Sequence, residues 1–306
     1  MGRYVARRVL QLVPTLVVVS FLIFLMVRLI PGDPALLIAG ENATPELVAS
    51  IRERLGLDRP LLLQYWSYLG NVLRGDLGTS LRTHRPVAEE IAARLPATLQ
   101  LAVASGLIFT VLGVPLGVTA GIRRGHWPDH LVRVISLVGV SSPAFWIGIL
   151  LMLAFSLQLR ILPSAGRGTL AHVVLPAVTA SLVGIALVSR LVRASIIEIL
   201  GEDYVRTARA KGLPHRAVVY RHVLFNALIP AVTILGLEFG VLLGGLVVVE
   251  SVFAWPGSGK LLIDAIRMRD YPVVQSVVLL FAFMLAVVNL LVDLLCGLLD
   301  PRIRYE

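Results

Sequence analysis

Glu202-Asp-Tyr-Val-Arg-Thr-Ala-Arg-Ala-Lys-Gly212-Leu-Pro214 is a short basic segment set between two long apolar runs, one beginning near Val173 and the next near Ala227. The contrast between the segment and its flanks decides the fold. Further runs of the same kind begin near Val9, Ala97, Leu131 and Val273, and a helix of 18 or more such residues crosses roughly 30 Å of hydrocarbon. Backbone groups in lipid must be satisfied within their own segment, and these runs lack the two-residue alternation of a barrel strand. The expected fold is therefore an all-α polytopic membrane protein with six transmembrane helices. Composition agrees: 57% of residues are hydrophobic, 15% are charged and the mean hydropathy is +0.84, whereas soluble domains carry about a quarter charged residues.

The basic residues orient the spans. With the N-terminus inside, Arg3, Arg7, Arg8, Arg123, Arg124, Arg133, the seven basic residues from Arg190 to Arg221, Arg302 and Arg304 all fall on the cytoplasmic side. Most of the remainder lie in one long loop, Arg52 to Arg94, and long loops weigh little in the positive-inside rule. Both termini are thus expected in the cytoplasm. The net charge of +9 is accounted for by topology and anionic headgroups, and no nucleic-acid partner is called for. The stretch Val9 to Val27 exceeds the 7 to 15 residue core of a signal peptide and reads as an anchor. Cys296, the single cysteine, reads as a small hydrophobe in the last run.

Between the first two runs, residues 31 to 96 form the largest polar piece, expected outside as a small packed lobe. Within it, Thr44-Pro45-Glu46 gives a helix start, and Leu47, Ile51 and Leu55 recur on one face. The organisation expected is residues 1–96 as anchor plus lobe, 97–298 as the membrane domain with its polar loop at about 196–226, and 299–306 as a cytoplasmic tail. Gly236, Gly240 and Gly244 in the fifth run, with Gly113 and Gly117 in the second, are spaced for close helix approach. Spacing alone suits contacts within one subunit and across a subunit boundary equally. Pro115, Pro143 and Pro176 invite kinks or broken ends.

Chemistry within the runs is sparse. Glu238, Glu250 and Asp293 are the acidic residues there, and an intramembrane carboxylate is a candidate for a pathway or proton relay. Glu238 has the deepest placement; Glu250 and Asp293 sit nearer span ends, where hydration or a local ion pair suffices. The runs contain no Ser/His pair, HExxH or Cys/His ligand cluster, so neither a catalytic nor a metal site is expected. Gly257-Ser-Gly259-Lys260 fails as a phosphate loop, because Ala254 stands where its first glycine belongs and Leu261 replaces the Ser or Thr. Any ATP hydrolysis must then come from another protein.

In the basic segment itself, Ile196 to Ala210 suits a helix, Gly212 a left-handed stop and Pro214 the first turn of a second helix. Small Ala208 and Ala210 permit close approach of a neighbour, and Arg206, Arg209 and Lys211 offer charge-assisted contacts. On these grounds the loop suits docking to a partner protein and anchoring at the membrane surface equally well.

Followed by Arg221-His222 and Asn226-Ala-Leu-Ile-Pro230, the segment resembles the EAA loop of binding-protein-dependent ABC importer permeases of the dipeptide/oligopeptide/nickel subfamily. The similarity covers the chain. Leu55-Gly-Leu-Asp-Arg-Pro60, Gly75-Asp-Leu-Gly78, Arg94-Leu-Pro-Ala-Thr98, Val252-Phe-Ala-Trp-Pro-Gly257, Arg269-Asp-Tyr-Pro272 and Leu299-Asp-Pro-Arg302 resemble that subfamily in the same order. The Glu-Ala-Ala triplet of the broader pattern reads Arg206-Thr207-Ala208 here, and Ile-x-Leu-Pro reads His222-Val-Leu-Phe225, as in the peptide branch. Glu238 replaces a polar uncharged residue.

The resemblance implies a type I importer in the bacterial cytoplasmic membrane: this chain, a second homologous permease subunit, one or two ATPase subunits that bind ATP and Mg, and an extracytoplasmic substrate-binding protein. It implies no cofactor and no enzyme activity in this chain. The loop becomes a coupling helix on the ATPase, with Tyr204, Arg206, Thr207, Ala208, Ala210, Gly212 and His222 at the interface. Short peptides are the expected cargo, with nickel chelates, glutathione and other peptide-like compounds as alternatives. A proton-coupled carrier using Glu238 as relay is the rival from another class, and Glu250 is the second candidate for the pathway or its gate.

Overall fold

A computed structural model describes residues 2–29, 35, 44–54 and 56–299. The Pro31-Gly-Asp-Pro34 stretch, Leu55 and the tail beyond Leu299, with Arg302 and Arg304, lie outside the described residues. Among the described residues the regular structure is helical and no strand forms. In chain order the helices are α1 (Gly2–Leu29), α2 (Pro45–Arg54), α3 (Leu61–Leu73), α4 (Val87–Ile122), α5 (Trp127–Ser141) and α6 (Ala144–Leu151), the last continuing as a π-helical turn, Met152–Gln158. Then follow α7 (Leu170–Leu200), α8 (Asp203–Ala210), a turn His215–Ala217 with a π-helical segment Val218–Val223, α9 (Leu224–Val252), α10 (Ser258–Met268) and α11 (Tyr271–Leu299).

The six expected segments all occur as helix, but not all as simple spans. Four are long and apolar enough to cross a membrane unbroken: Val87–Ile122, Leu170–Leu200, Pro230–Val252 and Tyr271–Leu295. In α1 the described side chains carry the apolar stretch Leu10–Met26, part of the run from Val9 to Val27. The run expected as one span from Leu131 is instead a pair, α5 and α6, bent by 107°. Pro143 is the cause. It pushes Ser142 into an extended conformation (φ −97°, ψ 130°) and cannot donate to α5, so a new helix starts with Trp146 N–H and Ile147 N–H donating to Pro143 O. Pro115 and Pro176 stay inside continuous helices. So does Pro96, which means that the boundary drawn after it falls in the middle of α4.

α4 packs along α7, and glycines set the distance. A Cβ added at Gly117 would come 2.6 Å from Ser189 O, and one at Gly121 2.6 Å from the Ile196 side chain. Gly113 faces Val188 in the same row. The glycines of α9 behave unequally: Gly236 abuts Val292 and Gly240 abuts Leu285, both on α11, while no described residue lies within 4 Å of the position a Cβ would take at Gly244. Contacts within the subunit therefore claim the first two and leave the third bare. One hydrophobic core results, running from Val205 and Val218 at one end through Val192, Phe109 and Leu101 to Trp255 at the other.

The lobe differs from expectation at its first helix. Thr44 does open α2, its Oγ1 accepting from Leu47 N–H at 3.4 Å, but Leu47 is exposed rather than packed. A second small core, with Val87, Ile91, Leu261, Val273 and Val277, joins the start of α4 to α10 and α11.

Candidate functional site

At one end of the bundle α7 stops at Leu200, caps on Gly201, and α8 begins after Glu202. The single helix expected from Ile196 to Ala210 is thus broken, and the break turns α8 away from the axis of α7. The four-residue spacing of a helix then sorts its side chains. Val205 is fully buried and Ala208 nearly so, both within the main core, while Tyr204, Arg206, Thr207, Arg209, Ala210 and Lys211 are exposed. Ala208 therefore points into this subunit and serves to seat α8, contrary to the interface position expected for it. Arg206 leans on Asp203 (Nη1 to Oδ1, 3.4 Å) and Thr207 Oγ1 donates to Asp203 O at 2.9 Å.

Gly212 ends α8 as expected, with φ +77° and its N–H donating to Arg209 O, while Lys211 N–H reaches Thr207 O and Leu213 N–H reaches Ala208 O. The chain turns at Pro214, whose carbonyl accepts from Val218 N–H. The π-helical segment that follows is held to α8 by a side-chain network. Tyr204 Oη donates to His222 O at 3.4 Å; Asn226 Nδ2 donates to Tyr204 Oη at 3.1 Å and to His222 O at 2.9 Å. His222 thus enters through its carbonyl. Asn226, which the residue reading did not single out, is the link that fixes the angle between α8 and α9.

Asp129 is the second residue at this end that sequence reasoning missed. Buried at the first turn of α5, it accepts from Arg193 Nη2 of α7 at 3.1 Å, from Arg133 Nη2 at 2.8 Å and from Gly125 N–H at 2.9 Å. The base of α7, from which α8 is suspended, is thereby tied to the α4–α5 turn by charge-assisted bonds. The signal in the sequence is the pair Asp129/Arg133 at helical spacing.

At the opposite end Glu250 is fully buried and takes three donors: Thr98 Oγ1 at 2.7 Å, Gly259 N–H at 2.8 Å and Lys260 N–H at 3.0 Å. The last two are the second and third residues of α10, so a carboxylate delivered by α9 caps another helix and meets its positive end. This corrects the expectation that Glu250 is hydrated at a span end or lines a passage. It also explains Gly257-Ser-Gly259-Lys260: a phosphate loop by appearance, the segment cradles a protein carboxylate, and a Cβ on Gly257 would collide with it. Around this node Ser258 N–H donates to Thr98 Oγ1 at 2.8 Å and Trp255 Nε1–H to Ala97 O at 2.9 Å. The Arg94-Leu-Pro-Ala-Thr98 and Val252-Phe-Ala-Trp-Pro-Gly257 motifs are therefore two halves of one joint.

A second joint lies beside it. Asp270, buried after the left-handed Arg269 (φ 55°), accepts from Ser80 Oγ at 2.5 Å and Leu81 N–H at 3.2 Å. Ser276 Oγ donates to Leu77 O at 3.4 Å. Between lobe and bundle here is a cavity of about 640 Å³ lined by Arg28, Gln64, Tyr68, Tyr271 and Gln275 among others. Glu238 belongs to neither joint: it is half-buried in the middle of α9 and forms no hydrogen bond or ion pair with a described residue, while its neighbour Phe239 packs against Phe109 and Gly106. Asp293 is half-buried on α11.

Two family models match the chain: binding-protein-dependent transport system inner membrane component over residues 113–305, and the N-terminal part of a binding-protein-dependent transport system membrane component over residues 1–102. The chain is 48% identical over 306 residues to the glutathione transport system permease protein GsiC of Salmonella typhimurium strain LT2, covering all of both. Against the protein of that name from Escherichia coli K12 it is 47% identical, again over the full length of both. Among solved structures it is similar to the inward-facing MetNI methionine ABC transporter, with TM-score 0.59 and 19% identity over 69% of this chain and 96% of that one. An amino acid ABC transporter with histidines gives TM-score 0.55 and 17% identity over 68% and 94%. At such identities these two speak for the fold alone.

Proposed function

Since this chain belongs to the binding-protein-dependent transport system inner membrane components, the permeases of ABC importers of the peptide/nickel type, we propose that it moves short peptides and the peptide-like tripeptide glutathione inward across the cytoplasmic membrane. Its partners in this reading are a second permease subunit, one or two ATPase subunits that bind ATP and Mg, and an external substrate-binding protein. ATP is hydrolysed on the partners. The full-length similarity to permeases named for glutathione transport supports that cargo. The loop end of the bundle faces the cytoplasm together with both termini, and the lobe and the Glu250 joint face outward.

The observation that carries the reading is the construction of α8. Val205 and Ala208 fasten it to the core, while Tyr204, Arg206, Thr207, Ala210 and Gly212 are exposed among the described residues. A ligand shifts a two-state body only through different affinity for the two states. ATP closing a dimer of partner ATPases supplies that difference, and the rigid Tyr204–His222–Asn226 network passes the displacement of α8 to α9.

Reconstituted with its co-purifying subunits and binding protein, the complex takes up labelled glutathione or dipeptide when ATP is supplied on the α8 side. Gly212→Asp stops uptake while leaving the chain in the membrane, and Glu238→Gln leaves uptake within about twofold. Uptake that survives an inactivated ATPase and disappears in Glu238→Gln would instead establish a proton-coupled carrier.

A further inference from the structure

The lobe helix α3 divides into three lengthwise sectors. One faces α1: Tyr65 Oη donates to Val17 O at 3.0 Å and shares a hydrogen bond of 2.8 Å with Ser20 Oγ, its ring stands edge-on to Phe21 and Phe24 at 5.1 and 5.4 Å, and Gln64 accepts from Arg28 Nε at 2.9 Å. A second sector carries Ser67, Asn71 and, just after the helix, Arg74, all exposed, with exposed Leu63 at its start, and Ser67 and Asn71 line the cavity between lobe and bundle. The third is a stripe of Leu62, Trp66, Leu69 and Leu73, spaced four, three and four residues apart, with Leu62, Trp66 and Leu73 exposed to 64, 61 and 80%.

The contacts with α1 fix how deep this helix sits. Val17 and Ser20 lie inside the apolar stretch Leu10–Met26, and a rise of 1.5 Å per residue places them about 14 and 9 Å below Met26. A tyrosine side chain spans only part of that distance. The axis of α3 therefore lies beside the last turns of the apolar stretch, not above it. At that depth α1 also carries exposed apolar residues, Val18, Leu22 and Met26.

We propose that α3 is an interfacial helix seated in the leaflet on the lobe side, its stripe of Leu62, Trp66, Leu69 and Leu73 covered by lipid acyl chains. A helix with one apolar face, one polar face and an aromatic residue at the boundary has the pattern of such elements. Arg59 just before it and Arg74 just after it stand where headgroup phosphates would be met. The lobe is then not a free polar domain standing off the membrane: lipid holds α3, α3 holds the end of α1, and the Ser80–Asp270 joint holds the lobe to α10 and α11.

Spin labels at single cysteines test the depth. In the full chain with its co-purifying subunits in lipid nanodiscs, on a Cys296→Ser background, labels are placed by Leu62→Cys, Leu73→Cys, Ser67→Cys, Asn71→Cys and, as the lipid reference, Met26→Cys. Power saturation by oxygen and by a water-soluble nickel chelate should give an oxygen-to-nickel ratio at Leu62 and Leu73 several-fold above that at Ser67 and Asn71 and similar to Met26. Equal ratios on the two sectors would place the stripe in water; low accessibility to both reagents would mean that a protein subunit covers it. Either result overturns the proposal. Quenching of Trp66 by brominated lipid, taken as the difference between wild type and Trp66→Phe, reads the same depth without replacing Cys296, and no difference there also overturns it.

Discussion

Glu250 shows how far a single residue's role depends on what surrounds it. Read along the chain it is an acid near the end of an apolar run; in the fold it is a buried acceptor for one hydroxyl and two helix-terminal N–H groups. Replacing it by leucine leaves three donors without partners, each costing about 1–3 kcal/mol, whereas glutamine keeps an acceptor in place. Glu250→Leu should accordingly lower the thermal midpoint of the detergent-solubilised protein far more than Glu250→Gln, with Thr98→Val between them, as followed by a thiol-free fluorescence melt. Midpoints for the leucine and glutamine variants that both equal the wild type's would mean that the joint contributes nothing to stability. Glu238, equally visible in the sequence, has no comparable set of partners among the described residues.

Among the elements, glycine spacing was legible as a device for close packing but not as to what packs. Gly117 and Gly244 look alike on the chain; one lies against the backbone of α7, where nothing can yield, and the other faces open space. Gly117→Ala should sharply reduce the monodisperse peak in fluorescence-detected size-exclusion chromatography, and Gly244→Ala should leave it unchanged. The Pro143 break is another case in which local chemistry was visible while its outcome was not. A proline in an apolar run either kinks a span or ends it, and at Pro143 it ends α5 and starts α6 at 107° to it. The same holds for α8, where the expected helix from Ile196 divides at Gly201 because Val205 and Ala208 gain burial by turning inward.

Across the whole molecule polar ties hold both ends of one continuous core. Asp129 ties the α4–α5 turn to the base of α7 on the side of α8, and the Glu250 and Asp270 joints tie α4 and the lobe to the α9–α11 end on the other. Displacement of α8 can pass through such a body only if its near end is stiff. Asp129→Asn, which removes the charge while keeping the shape, should reduce ATP-driven uptake more than it reduces the amount of assembled complex, measured as transport per complex in proteoliposomes. An unchanged rate per complex would assign Asp129 to folding alone.

The sequence by itself determined the solvent, the helical class, the positions of six apolar segments and a stop-and-turn at Gly212 with Pro214, because lipid imposes length and polarity on a span and because φ at a helix end is a local matter. It also carried, in ordered motifs from Leu55 to Arg302, the resemblance to ABC importer permeases. Only the tertiary structure decided that Thr98 and Glu250, 152 residues apart, share one hydrogen bond, that Ala208 faces inward and that Gly244 is left uncovered. Those outcomes rest on which helix faces meet. A 3.6-residue period names the faces of each helix, but the pairing of faces between helices is set by packing that no single segment encodes.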